Sequence, residues 1–137
     1  MTIQPYLFFN GRCEEALDFY KKTLGASIDM VMRFSENPDP NTAAMMPKDL
    51  NKIMHASFTI GGAMVMCSDG VQNDKPNFQG FSLSLTVANE AEADKVFNAL
   101  AKEGQIQMPI GKTFFSPRFG CVADKFGVSW MVIVEPK

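Results

Sequence analysis

The sequence predicts an α+β protein built from two similar βαβββ halves. The order strand, helix, strand, hairpin occurs twice, before and after a polar segment at residues 69–80. The two helices carry matching apolar residues, namely Ala16, Phe19 and Tyr20 in the first and Ala93, Val96 and Phe97 in the second. A length of 137 residues suits one compact domain. We therefore expect a single domain whose modules span about 1–70 and 80–137, joined by a linker at about 69–80.

In the first half, short apolar or alternating segments predict strands at residues 3–9, 27–34, 52–60 and 63–68. A helix is predicted over residues 13–24, with acidic residues leading, basic residues following and Gly25 closing it. Gly61 and Gly62 form the hairpin turn between the last two strands. The segment at 37–41 begins a long loop that runs to about residue 51.

In the second half, strands are predicted at residues 81–87, 105–108, 119–123 and 128–134. Asn89 is a good N-cap for the intervening helix, and Gly104 ends it. Alternation in the first of these strands separates a wholly apolar row, Phe81, Leu83, Leu85 and Val87, from a hydroxyl row, Ser82, Ser84 and Thr86. We expect the apolar row to face the helix.

Each half leaves one sheet face uncovered after its helix packs on the other. We therefore expect the two sheets to pair and enclose a shared cavity. In the first half, the row lining it is expected to contain His55, Ser57 and Thr59, because these alternate with Met54, Ala56, Phe58 and Ile60.

Composition argues against several classes of partner. The net charge of -2 gives no electrostatic reason to bind nucleic acid or anionic membrane. No apolar run has the length of a membrane span, and the first residues do not resemble a signal peptide, so we expect a cytoplasmic protein. Three dispersed cysteines, Cys13, Cys67 and Cys121, suggest neither a disulfide framework nor a zinc knuckle.

Three stretches resemble one known family closely: Pro5-Tyr6-Leu7-Phe8-Phe9-Asn10-Gly11, the helix Ala16-Leu17-Asp18-Phe19-Tyr20-Lys21-Lys22-Thr23-Leu24-Gly25, and Asp124-Lys125-Phe126-Gly127-Val128-Ser129-Trp130-Met131. The family is the PhnB-like (YjdN-like) branch of the glyoxalase/bleomycin resistance/dioxygenase, or vicinal oxygen chelate, superfamily. The resemblance covers essentially the whole chain. It implies sheets curled around a cavity and a homodimer in which modules pair across subunits.

Metal-using relatives hold their ion with four ligands, usually His and Glu, that project from the first and fourth strands of each half. The resemblance carries these positions onto Pro5, Met66, Ser82 and Met131. A divalent ion needs imidazole, carboxylate or thiolate donors, and thioethers bind such ions poorly. We therefore expect no metal and no cofactor. A register error of one residue would bring in Gln4 or Cys67 and still leave the set incomplete.

A few side chains are candidates for chemistry. His55, the single histidine, could act as a general base or contact a ligand, although a structural role is the simpler interpretation because spacing shows no catalytic partner. Asp69 and Glu135 follow strands and are interpreted as solvated charges.

Arg118 could hold an anion, with stacking surface from Phe114, Phe115 and Trp130, or be a plain surface residue. Trp130 and Cys67 have the parity of packed positions, so we expect core roles for both.

Three functions stay open. The first choice is metal-independent binding of a small apolar or aromatic molecule, in a cavity formed by His55, Ser57, Met64, Met66, Ser82, Ser84, Thr86, Met131 and Arg118. The second is an enzyme of glyoxalase or dioxygenase type that uses His55 and non-standard ligands. The third is a structural or regulatory dimer without a ligand. The methyltransferase label attached to the family is not expected to apply, because no Gly-rich loop joins a strand to a helix.

Overall fold

The computed structural model describes residues 1–38, 47–70 and 75–136. The chain divides into two compact units, Met1–Pro76 and Asn77–Lys137. The first unit contains β1 (Tyr6–Phe8), α1 (Cys13–Leu24), β2 (Ser27–Arg33), a short 3-10 helix (Phe34–Glu36), β3 (Ile53–Ile60) and β4 (Ala63–Ser68). The second contains β5 (Leu83–Val87), α2 (Glu90–Ala101), β6 (Gln105–Gly111), β7 (Phe119–Ala123) and β8 (Ser129–Val134).

The two units share one sheet topology. The strand order is β1-β4-β3-β2 in the first sheet and β5-β8-β7-β6 in the second. In each sheet the first and last strands of the unit pair in parallel, and the remaining neighbours pair antiparallel. The predicted α+β class with two similar βαβββ modules is therefore confirmed.

Most predicted elements are present, with some shifted ends. β4 and β7 have the predicted bounds, whereas β1 is shorter and β6 runs on through Pro109 to Gly111. One placement was wrong: Phe81 precedes β5 and is 45% exposed, so it does not join the packed row. Residues 39–46 of the predicted long loop and residues 71–74 of the predicted linker lie outside the described residues.

Helix α1 packs through the apolar stripe that the sequence predicts. Its buried residues are Cys13, Ala16, Leu17 and Tyr20, and the Tyr20 ring stacks on Phe58 of β3 with centroids 5.5 Å apart. The helix ends at Gly25, whose φ of 67° lies in the left-handed region, a conformation that glycine adopts with little strain. The N–H of Gly25 donates a hydrogen bond to the carbonyl of Tyr20. Neither helix of the described residues is long and apolar enough to cross a membrane.

The Asp69 side chain, expected to be a solvated charge, is instead buried and shapes the first unit. It is 4% exposed, and its Oδ1 accepts hydrogen bonds from the backbone N–H groups of Gly11 (2.7 Å) and Cys13 (2.8 Å). Its Oδ2 accepts a third from Ile53 at 2.8 Å. Arg12, at the N-cap position of α1, makes no side-chain cap, so a carboxylate from the end of β4 supplies it.

Helix α2 is capped locally, as the sequence predicts. The Asn89 side chain accepts from the N–H of Glu92 at 2.8 Å, and the Glu92 carboxylate accepts from the N–H of Ala88 at 3.1 Å. The helix ends at Ala101, before the predicted Gly104, because Lys102 leaves the helical region with a ψ of 121°, and Glu103 then takes a positive φ of 60°.

The helix-facing side of the second sheet is closely packed. A Cβ on Gly120 would come within 2.7 Å of the Phe97 ring, so only glycine lets α2 approach β7 this closely. Trp130 is 1% exposed, as its parity predicts, and its Nε1–H donates to Asp124 Oδ2 at 2.9 Å. Asp124 Oδ1 accepts from the N–H groups of Phe126 and Val128, so this carboxylate also holds three donors.

We predict that Asp69→Ala lowers the free energy of unfolding by about 2 to 4 kcal/mol, because three backbone N–H groups, two of them in buried hydrogen bonds, lose a charged acceptor. Asp69→Asn should lower it less, since one acceptor oxygen remains. Equilibrium urea unfolding measures both.

The matched control is Glu135→Ala, which also removes a carboxylate at the end of a strand but at an exposed position. It should stay within about 0.5 kcal/mol of the unaltered chain. Equal effects of the two alanine substitutions would show that the Asp69 hydrogen bonds contribute little.

Candidate functional site

Cross-strand pairing shows which side chains of the first sheet share a face. Leu7, Cys67 and Ala56 form one row across β1, β4 and β3, and Cys67 contacts Cys13 of α1, so this row faces the helix. The side of the sheet turned away from α1 is referred to below as the open face. The pairings place the following side chains on it: Tyr6, Phe8, Met30, Met32, His55, Ser57, Thr59, Met64 and Met66. The candidates His55, Ser57, Met64 and Met66 thus share one face.

Three rings form an aromatic row on the open face: Phe8, Tyr6 and His55. The Phe8 and Tyr6 centroids are 5.0 Å apart and the Tyr6 and His55 centroids 5.6 Å apart, with interplanar angles of 33° and 35°. The Tyr6 hydroxyl lies 2.8 Å from His55 Nδ1. β4 lies between β1 and β3, so the Tyr6 side chain extends across β4 to reach His55. Ser68 of β4 is buried, with 4% of its surface exposed.

The environment of Tyr6 keeps its hydroxyl protonated. Burial raises the pKa of Tyr6, the Cys67 and Cys13 thiols behind the strand add to the rise, and the Ser68 hydroxyl has a smaller opposite effect. The residue is still 37% exposed, so the phenol borders solvent. A protonated phenol beside an imidazole nitrogen can donate a hydrogen bond to it. His55 therefore has the partner that sequence spacing did not reveal.

The second sheet places its own candidates on the face away from α2. Ser84 pairs with Met131, and Thr86 pairs with Ile133. Ser82 precedes β5, and its hydroxyl lies 2.8 Å from that of Ser129. Ser82, Ser84, Thr86 and Met131 therefore belong to one face of this sheet, with alternation as predicted.

Arg118, the remaining residue predicted for the ligand cavity, is not brought together with these side chains. Its Nε–H donates to Asp94 Oδ1 of α2 at 2.8 Å, so the guanidinium points toward the helix. The proposed stacking surface is also dispersed: Phe114 is fully exposed, Phe115 packs edge-on against Phe119 at 4.9 Å, and Trp130 is in the core. Charge pairing with α2 explains the position of Arg118.

The donor set carried over from metal-using relatives does not fit a divalent ion. Pro5 precedes β1, and the residue that pairs with Met66 on the open face is Tyr6. The positions in question thus offer a phenol, a hydroxyl and two thioethers, where such ions prefer imidazole, carboxylate or thiolate. Among the described residues, no group of three His, Cys, Asp or Glu side chains could hold a metal ion.

A groove of about 370 Å³ lies in the second unit near the start of α2. Its lining includes Asn89, Lys112, Phe114, Phe115 and Glu135. None of the residues predicted for the ligand cavity lines it. It is therefore separate from the rows described above.

Two cysteines meet behind the aromatic row. The Cys13 and Cys67 sulfur atoms are 3.5 Å apart, and both residues are fully buried. The hydrogen bond with Cys67 and burial raise the pKa of Cys13. Cys67 thus has the buried, core position that its parity predicts.

Comparison with known proteins gives consistent matches over nearly the whole chain. A family model described as 3-demethylubiquinone-9 3-methyltransferase matches residues 1–133. Protein YjdN of Escherichia coli (strain K12) is 36% identical over 140 residues, covering 98% of this chain and 95% of YjdN. The crystal structure of protein PA1353 from Pseudomonas aeruginosa is 40% identical, with a TM-score of 0.87 and coverage of 100% and 99%.

A glyoxalase-related enzyme from Fulvimarina pelagi shares the fold. Its structure is 19% identical and has a TM-score of 0.65, covering 99% of this chain and 88% of that one. At this identity the likeness concerns the fold alone. It agrees with the predicted glyoxalase/bleomycin resistance type of architecture.

We predict that Cys13 and Cys67 react with iodoacetamide more than about tenfold more slowly than Cys121 in the folded protein. The raised pKa of Cys13 lowers its thiolate fraction near neutral pH. Cys13 and Cys67 are both fully buried, whereas Cys121 is only half-buried. Pulsed alkylation followed by peptide mass spectrometry measures the three rates.

The same pulse in guanidinium chloride serves as the control, and there the three rates should converge. Rapid modification of Cys13 in the native protein would contradict the described packing of α1 on β4.

Proposed function

This chain belongs to the PhnB-like (YjdN-like) family, whose model is described as 3-demethylubiquinone-9 3-methyltransferase, and we propose that it binds a small, partly aromatic molecule without a metal. The proposed site is the open face of the first sheet. The observation that carries the proposal is the clustering there of exposed rings and thioethers around a few polar groups.

The open face combines apolar contact surface with polar groups that can orient a ligand. Phe8 is 56% exposed, Met64 39% and Met30 41%, on a sheet whose other side is packed against α1. Clustered apolar side chains on a solvent-exposed protein surface usually mark a binding site. The hydroxyl of Tyr6 and the imidazole of His55 lie among them.

The chemistry of the face points to a neutral or weakly anionic ligand. Methionine side chains are flexible and polarizable, so they adapt to ligands of irregular outline. Aromatic rings favour flat partners through stacking. The Asp29 carboxylate also borders this face, where it accepts a hydrogen bond from the Thr59 hydroxyl at 2.5 Å. The residues that the strand pairings place on the open face include no Lys or Arg, so a strongly anionic ligand would lack compensation.

Methyl transfer is not part of this proposal, although the family description names it. A nucleotide-containing cofactor is typically held by a Gly-rich turn between a strand and the following helix. The turn between β1 and α1 contains one glycine, Gly11, and the turn between β5 and α2 contains none. The paired glycines Gly61 and Gly62 lie in the hairpin between β3 and β4.

We predict that Met66→Lys weakens binding of 2-acetylnaphthalene, a flat aromatic probe, by more than about tenfold, because the ammonium group must be desolvated against the probe. The chain contains ten methionines, so methyl-13C-methionine NMR reports binding directly. In the unaltered chain the Met64 and Met66 methyl signals should shift on titration.

Ile106→Lys is the control, because it adds the same charge on an exposed residue that pairs with Val122 on the helix side of the second sheet. It should change the affinity less than about twofold. Shifts confined to methionines outside the open face would overturn the proposed location.

The homodimer implied by the family resemblance stays a prediction. We expect a mass of twice 15.2 kDa in size-exclusion chromatography with light scattering. A single-chain mass at micromolar concentration would contradict it.

A further inference from the structure

We infer that the Tyr6 hydroxyl donates to His55 Nδ1 and thereby holds His55 as the tautomer whose Nε2–H faces outward, where it anchors an acceptor oxygen of a flat ligand. The ligand class is then an aromatic or conjugated molecule that bears a carbonyl or a comparable acceptor oxygen. This inference rests on the proposed function and specifies the chemistry of the same site.

The direction of the hydrogen bond follows from the chemistry of its two partners. A neutral imidazole has one donor nitrogen and one acceptor nitrogen, and the hydrogen bond made by one of them selects the tautomer. Burial raises the pKa of Tyr6, so the phenol keeps its proton through the physiological range. A phenol is a stronger hydrogen-bond donor than an imidazole N–H, and an imidazole nitrogen is a better acceptor than a phenol oxygen, so we assign the phenol as the donor to Nδ1 and the proton of neutral His55 to Nε2.

The Nε2–H group is available to a ligand. Within residues 1–38, 47–70 and 75–136, the hydrogen bond of the His55 side chain is made through Nδ1. His55 is half-buried and its hydrogen bond with Tyr6 lies at an exposed position, so the residue is accessible from the open face. A polar N–H beside apolar surface becomes a specific anchor when a ligand excludes water from it.

The aromatic row gives the ligand its shape preference. Phe8, Tyr6 and His55 follow one another at centroid spacings of 5.0 and 5.6 Å with similar tilts, and together they form an extended aromatic surface. The Nε2–H group lies at the His55 end of this surface. A flat ligand that covers Tyr6 and Phe8 can therefore place an oxygen at its edge against Nε2.

The first experiment determines the tautomer in the protein without ligand. His55 is the single histidine, so a long-range 1H–15N NMR spectrum contains one imidazole and needs no assignment. At mildly alkaline pH we expect a protonated Nε2 and an unprotonated Nδ1. Tyr6→Phe keeps the ring and removes the hydroxyl, and it should shift the tautomer toward a mixture.

The second experiment compares two probes of nearly equal shape, 2-acetylnaphthalene, which has an acceptor oxygen, and 2-ethylnaphthalene, which has none. The acetyl probe should bind roughly three- to tenfold more tightly, the range expected for one neutral hydrogen bond. His55→Phe should reduce this preference to unity, whereas Tyr6→Phe should reduce it only in part, in proportion to the Nδ1–H tautomer that appears. Tyr20→Phe is the matched control, since it removes the other tyrosine hydroxyl from the buried side of the sheet and should keep both the tautomer and the preference.

The outcomes separate the inference from the proposed function. A protonated Nδ1 in the unaltered protein, or equal affinity for the two probes with open-face methyl shifts, overturns the inference and leaves the proposed function standing. Failure of both probes to shift the Met64 and Met66 signals overturns the proposed function. Circular dichroism and thermal unfolding confirm that each variant is folded, so a lost preference is attributed to the altered group.

Discussion

The first unit depends on one buried carboxylate. Asp69 accepts hydrogen bonds from three backbone N–H groups. These groups belong to the turn before α1, the first residue of α1 and the start of β3, so the carboxylate joins segments that are distant in sequence. The negative charge is stabilised by these donors and by the positive end of the helix dipole. In the second unit Asp124 also accepts three hydrogen bonds, but from its own turn and from the Trp130 indole. The two halves thus share a topology while anchoring it at different points.

The candidate site on the open face lies next to the buried Asp69 carboxylate in the chain. Ser68 directly precedes Asp69, and the aromatic row crosses β4 at Ser68. Pairing of β4 with both β1 and β3 sets the spacing between those two strands, and the Tyr6 side chain is long enough to cross it and reach His55. Side chains held by strands keep their relative positions better than side chains on loops, so binding here requires little reorganisation. The polar anchor of the site is consequently as rigid as the sheet that carries it.

The sequence predicted those features whose cause is local. Strand alternation assigned His55, Ser57 and Met66 to one face, and the Asn89 cap followed from a partner three residues away. Asp69 was misassigned because its donors on Gly11 and Cys13 lie 58 and 56 residues earlier in the chain. Tyr6 was missed because β1 and β3 become neighbours only through β4, although its alternation with Leu7 was a usable signal. The Arg118 pairing with Asp94 similarly required knowing how α2 lies on its sheet.

The outer strand of the second sheet bears on how the protein behaves at high concentration. β6 lies at the edge of the sheet with Ile106 51% and Met108 47% exposed, a composition that invites a foreign strand to pair. Yet Pro109 lacks an N–H to offer, and the register of β6 shifts twice along its length. An incoming strand would find neither a continuous ladder of donors nor a regular spacing. The irregular edge therefore protects the molecule from growing by strand addition into aggregates.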